Sequence, residues 1–142
     1  MQFDKESQQR ILRVAADRNE GRPTEELDGR IAGVLELHPE FDSIWEDGEM
    51  ASMPREINGM VVNPFVHTVL HVIIDRQLQL GDPDFVVTAY KRLTDQGMES
   101  HETLHAIIAV FADLHFTSFR RGEQFDSLDY ESRINNLSYE AG

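Results

Sequence analysis

Between residues 63 and 122 the chain writes three helices in succession, each with its own start and stop signal. Asn63-Pro64 supplies a capping side chain and a proline at the first helical position, and the helix it opens runs to Leu80 and stops at Gly81. Asp82-Pro83 repeats that start, and the second helix ends at Gly97 with Phe85, Ala89 and Leu93 as its core stripe, flanked by Val86 and Tyr90. Glu99-Ser100 opens a third helix that runs to about Arg121 and is closed by Gly122. Short connections favour antiparallel neighbours, so the first and third of these helices are expected to lie parallel, with their N-termini at the same end.

The residues before this trio read as further helices. Asp4 caps a helix reaching about Asn19, with Gly21 as its stop. Thr24 opens another that carries Leu27, Ile31, Val34 and Leu35. It is interrupted at His38-Pro39, because a residue preceding proline disfavours the helical region. A short helix over Glu40 to Asp47 is expected to bury Phe41, Ile44 and Trp45. Residues 48–62, with Met50, Met53, Pro54, Gly59 and Met60, read as an irregular segment of a length common in lids, with Val61-Val62 as a short extended piece. No alternating run is long enough for a sheet.

The expected architecture is all-α: a single-domain helical bundle with a buried histidine cluster between two parallel helices. Its domain spans residues 1–122, divided into N-terminal helices and loop at 1–62 and a three-helix, histidine-bearing core at 63–122. Residues 123–142 form a polar tail with one short helix around Ser127 to Asn136. A length of 142 residues suits one domain with a real core.

Composition narrows the chemistry. The 26 acidic residues against 13 basic ones give a formal charge of −13, a surface that repels phosphate backbones and argues against nucleic acid as a partner. With no cysteine, any metal must be held by nitrogen and oxygen. The polar start MQFDKESQQR lacks the apolar core of a signal peptide, and the longest apolar stretch, Val69 to Ile74, is interrupted by His71 and too short for a bilayer. A cytoplasmic protein with no membrane partner is the expectation. Whether it meets a protein partner or a small-molecule substrate is open.

Against that background stand two histidine pairs at helical spacing, His67/His71 and His101/His105. Residues four apart share a helix face, so each pair can direct two imidazoles at one ion. Random placement of six histidines yields about 0.2 such pairs, and two pairs in roughly 2% of shuffles. Each pair occupies the first two turns of its helix, and the parallel arrangement brings both to a similar height. Each also falls on an apolar stripe: His67, Leu70, His71, Ile74 and Leu78 on one, and His101, Leu104, His105, Ile108 and Ala112 on the other. Imidazoles in an apolar interior need hydrogen-bond partners or a shared ion. One divalent metal held by His67, His71, His101 and His105 is therefore expected, zinc first, with iron, manganese or nickel as alternatives. The competing reading is a set of core histidines bonded to carbonyls or carboxylates.

Three further residues border this set. Asp75, one turn past His71, either ligates or orients His71 from behind. His38 either caps the turn after it, contributes another ligand or supports the site from behind. Glu102 is the candidate general base if the metal activates water, and its plainer role is a favourable charge in a first helical turn. His115 lies 14 residues beyond His101, about 21 Å along a helix, and reads as isolated.

Several metal architectures fit poorly. HETLH at 101–105 suggests a zinc peptidase, yet the chain continues AIIAVF, without the glycine and third histidine of a metzincin. A di-iron carboxylate site wants two Glu-x-x-His motifs, and only Glu102 to His105 provides one. A hemerythrin-like bundle handling oxygen or iron has enough ligands here but different spacings.

Taken together, HPEF at 38–41, NPFVHTVLH at 63–71 and HETLH at 101–105 resemble the uncharacterised bacterial domain-of-unknown-function 1841 family over roughly residues 5 to 120. The resemblance implies relatives of similar length, with an acidic first half ahead of an NPF-x-H-x-x-x-H segment. Where many of them read Glu-Gln after the second histidine, this chain has Asp75-Arg76-Gln77. The family brings no activity, so it supports the histidines as a unit and says nothing of substrate. The functional expectation is a metal-binding helical protein. Its alternatives are a metal-dependent hydrolase using Glu102 and a non-catalytic interaction or regulatory module with a structural histidine cluster.

Overall fold

Helix signals and turn residues place most of the elements where the sequence puts them. The structure, a computed structural model, describes residues 1–19, 26–57 and 60–139. Along them run α1 (Lys5–Asn19), α2 (Glu26–Glu36), 3₁₀ segments at Pro39–Phe41 and Ile44–Ser52, β1 (Arg55–Ile57), β2 (Met60–Val62), α3 (Pro64–Leu80), α4 (Asp84–Asp95), α5 (Ser100–Arg121) and α6 (Ser127–Asn135). The fold is all-α apart from one short hairpin. No described helix is long and apolar enough to cross a membrane. The chain divides into two compact units, Met1–Ile73 and Ile74–Gly142, with the boundary inside α3.

In the first unit, Asp4 caps α1 as expected, its carboxylate accepting the Ser7 amide at 2.9 Å. That bond holds the Asp4 carboxyl below the usual carboxylate range. Ile11, Val14 and Ala15 of α1 pack with Ile31, Val34 and Leu35 of α2, and Phe41, Ile44, Trp45 and Phe65 complete the cluster. Arg10 and Arg13 converge on Asp28 at 2.6 and 3.2 Å and tie α1 to α2 at the edge of this core. The expected signals at Gly21 and Thr24 lie outside the described residues.

Two expectations change here. The helix foreseen over 40–47 is instead two 3₁₀ segments, the second kinked at Gly48, whose φ of 59° is a left-handed conformation that glycine tolerates. The segment foreseen as irregular contains the antiparallel hairpin, paired Arg55 with Val62, Glu56 with Val61 and Ile57 with Met60. Strands of three residues are too short to leave an alternating signature. Arg55 anchors the hairpin by donating to the Asp47 carboxylate at 3.1 Å and the Met50 carbonyl at 2.9 Å.

In the second unit, α4, α5 and α6 pack against one another. Asp82 does not cap α4: the helix begins at Asp84 with Pro83 at the cap position, no side chain caps it, and the Asp82-Pro83 bond is cis. The buried stripe of α4 is Val86, Ala89 and Leu93, with Phe85 only partly covered. Gly122 closes α5 in the left-handed conformation, at φ 65°. Within residues 123–142, Asp126 caps α6 by accepting the Leu128 and Asp129 amides at 3.1 and 3.0 Å. Tyr130 and Ile134 of that helix are buried. The Tyr130 hydroxyl donates to Gln77 at 2.8 Å.

Candidate metal centre

Three imidazoles meet in the first unit because two local devices fix their backbones. Asn63 starts α3: its side-chain oxygen accepts the Phe65 and Val66 amides at 3.1 and 3.3 Å, and its carbonyl accepts the His67 amide at 2.9 Å. The Thr68 hydroxyl closes the same turn on the Pro64 carbonyl at 2.8 Å. His67 and His71 then stand on consecutive turns with ring centroids 4.8 Å apart. His71 is fully buried and His67 partly so.

The third ring comes from the His38-Pro39 junction. His38 does not cap the following turn, and no cap bond is made by its side chain. Its ring turns inward, 2% exposed, and stacks on Phe41 at 5.2 Å and 10°. Its centroid lies 4.6 Å from those of both His67 and His71. His38, His67 and His71 each offer a ring nitrogen, and the three atoms lie within 4.8 Å of one another.

Hydrogen bonding determines which nitrogen faces the centre. His38 Nδ1 lies 2.9 Å from the Val34 carbonyl oxygen. A carbonyl only accepts, so Nδ1 carries the proton and the neutral ring presents the Nε2 lone pair. That is the usual backing of a metal-binding histidine, one nitrogen anchored and the other free to ligate. His38 Nε2 faces His67 Nε2 at 2.9 Å. With His38 Nε2 as acceptor, His67 Nε2 donates the shared proton. An ion held by these rings would take the place of that proton, with the neutral imidazoles supplying lone pairs.

The second pair has its own environment in the second unit. Glu99 caps α5, its two carboxylate oxygens accepting the His101 and Glu102 amides at 2.9 and 2.8 Å. Those bonds hold the Glu99 carboxyl below the ordinary range. The rings of His101 and His105 approach to 4.2 Å. The buried face of α5 is Thr103, Leu104, Ile107, Ile108, Phe111 and Leu114, rotated from the stripe expected through His101, His105 and Ala112. Neither His101 nor His105 is buried. Glu102 is exposed, and Asp75 is partly buried one turn beyond His71. His115 stacks on Phe111 at 5.6 Å, farther along α5 from His101 and His105.

The domain of unknown function DUF1841 matches residues 4–136. The chain belongs to the DUF1841 family. No curated protein and no solved structure matches it. The match extends through α6, beyond the stretch carrying the HPEF, NPFVHTVLH and HETLH motifs. Within this DUF1841 chain a histidine cluster capable of holding a metal is present. His38 is the member that sequence spacing could not assign, since a lone histidine before proline carries no periodic signal.

Proposed function

We propose that this DUF1841 protein binds one divalent transition metal through His38, His67 and His71. The observation that carries the reading is the convergence of three imidazoles in the first unit, with the His38 tautomer set by Val34 so that Nε2 is the ligating atom. Three imidazoles leave a tetrahedral ion one position for a further donor. The reading keeps His67 and His71 of the expected ligand set and adds His38 to them.

An all-nitrogen site favours zinc, with nickel or iron as weaker fits. The cluster brings no carboxylate together with these rings among the described residues, and the reading is a metal-stabilised module rather than a hydrolase. Elemental analysis of untagged protein tests it: about one ion per chain, lost in His71→Ala, is expected. Metal-free protein whose melting temperature ignores added zinc overturns it.

A further inference from the structure

The stretch that follows His38 is held in place by little backbone bonding of its own. Residues 39–57 consist of the two 3₁₀ segments, the first strand of the hairpin and the turns that join them. Short 3₁₀ turns have poorer hydrogen-bond geometry than α-helix, and an isolated two-stranded hairpin is marginally stable in water. The ion pair between Arg55 and Asp47 is partly exposed and contributes little. What seats this strap is a row of rings that starts at the candidate metal centre. Phe41 stacks on His38 and meets His67 edge-on at 5.8 Å. Trp45 in turn meets Phe41 at 6.2 Å and Phe65 of α3 at 5.4 Å. At the head of the row His38 Nε2 faces His67 Nε2, 29 residues away in sequence.

We infer that the ion of the proposed centre clasps this strap, so that metal occupancy sets whether residues 39–57 stay closed on the first unit. The inference rests on the reading of His38, His67 and His71 as ligands. His38 leads into the strap and the other two belong to α3, so one ion ties the strap to the helix it packs on. Without the ion the hydrogen bond between His38 and His67 makes that tie, and water competes for it. Local opening is easiest where buried contacts are few and backbone bonds weak. An ion bound only by the closed form suppresses opening about a thousandfold when present at a thousand times its Kd. α1 and α2 contribute no ligand, and Arg10 and Arg13 on Asp28 join them independently of the ion. Ion loss therefore loosens the strap and leaves the helical pair folded. Opening uncovers Phe41, Ile44 and Trp45, so the device turns metal scarcity into an exposed aromatic face.

Limited trypsin digestion of the full chain reads the strap directly, because Arg55 is the only lysine or arginine between Arg30 and Arg76. In the closed strap its guanidinium is engaged with Asp47 and the Met50 carbonyl. Zinc content is measured on the same samples. Cleavage after Arg55 is expected to be at least about tenfold faster with a zinc-selective chelator than in zinc-loaded protein. Cleavage after Arg121, at the end of α5, should keep its rate. Hydrogen exchange should show the same division, with residues 39–57 losing protection on chelation and α1 keeping it. His38→Gln leaves His67 and His71 in place and should be cut at the chelated rate whether or not zinc is added. Zinc-loaded protein whose cleavage after Arg55 ignores the chelator overturns the clasp and leaves the metal reading standing. Protection lost equally from α1, or zinc protection undiminished in His38→Gln, does the same. Protein that takes up no zinc overturns both.

Discussion

The two His-x-x-x-His pairs share a spacing and a position at the start of a helix, yet only one is drawn into a core. His67 and His71 stand on a face where His38 and Phe41 close over them, and His71 is fully buried. His101 and His105 stand beside the buried face of α5, with rings turned toward each other. Spacing sets which rings can meet; the element packed over them sets whether they must share something. A ring sealed from water needs a partner, whereas a partly exposed ring is served by solvent.

The largest effect that separates the pairs is on metal-linked stability. A ligand at a thousand times its Kd stabilises a folded protein by about 4 kcal/mol. Zinc should raise the wild-type melting temperature by an effect of that order, and His71→Ala or His67→Ala should abolish it. His101→Ala should keep most of it. Equal loss in His101→Ala would erase the distinction between the pairs.

His38 sharpens the comparison next. As a ligand, its replacement in His38→Ala should weaken zinc by more than about 100-fold, beyond the effect usual for a residue that merely orients a ligand. A loss of a few-fold, read by competition with a chromogenic chelator, would return His38 to a supporting role.

The second unit offers contrasts that need no ion. Tyr130→Phe removes the bond to Gln77 and should cost about 1 kcal/mol in denaturant unfolding, with or without chelator. Burial pushes the Tyr130 hydroxyl above its ordinary value. Folding therefore favours the neutral phenol, and this contribution is full below the unfolded value near 10 and fades as pH rises toward the folded one. A pH series of wild type and Tyr130→Phe should show the two curves converging in alkali.

The smallest effect concerns the turn beneath the second pair. The Glu99 carboxyl is lowered by the His101 and Glu102 amides it accepts. Its contribution is present above the unfolded value near 4.3 and lost as pH falls through the folded one. Glu99→Gln should lower the melting temperature slightly at neutral pH, with wild type and variant meeting in acid. A gap that persists in acid would assign the cap to something other than charge.

Much of this was legible in the chain because its signals are local. Asn63-Pro64 states where α3 begins, and the cap bonds at Phe65 and Val66 follow from that dipeptide. Gly81 and Gly122 mark stops for the same reason, a left-handed residue that glycine adopts without strain. Asp82-Pro83 offers a similar signal in sequence, yet α4 begins only at Asp84, with Pro83 at the cap position and no side-chain cap. His38 was the harder residue. Its place against α3 depends on how the 3₁₀ segments and hairpin return the chain, a tertiary path that no spacing encodes. The rotated face of α5 has a similar cause: Thr103, fully buried, takes the place that a hydrophobicity count gives to His105.

The most direct test of the central claim is X-ray absorption at the zinc edge of untagged protein loaded with one equivalent of zinc. The account predicts a shell dominated by nitrogen at about 2.0–2.1 Å, with the outer-ring pattern of three imidazoles. A shell dominated by carboxylate or water oxygens, or zinc removed by a desalting column, would contradict it.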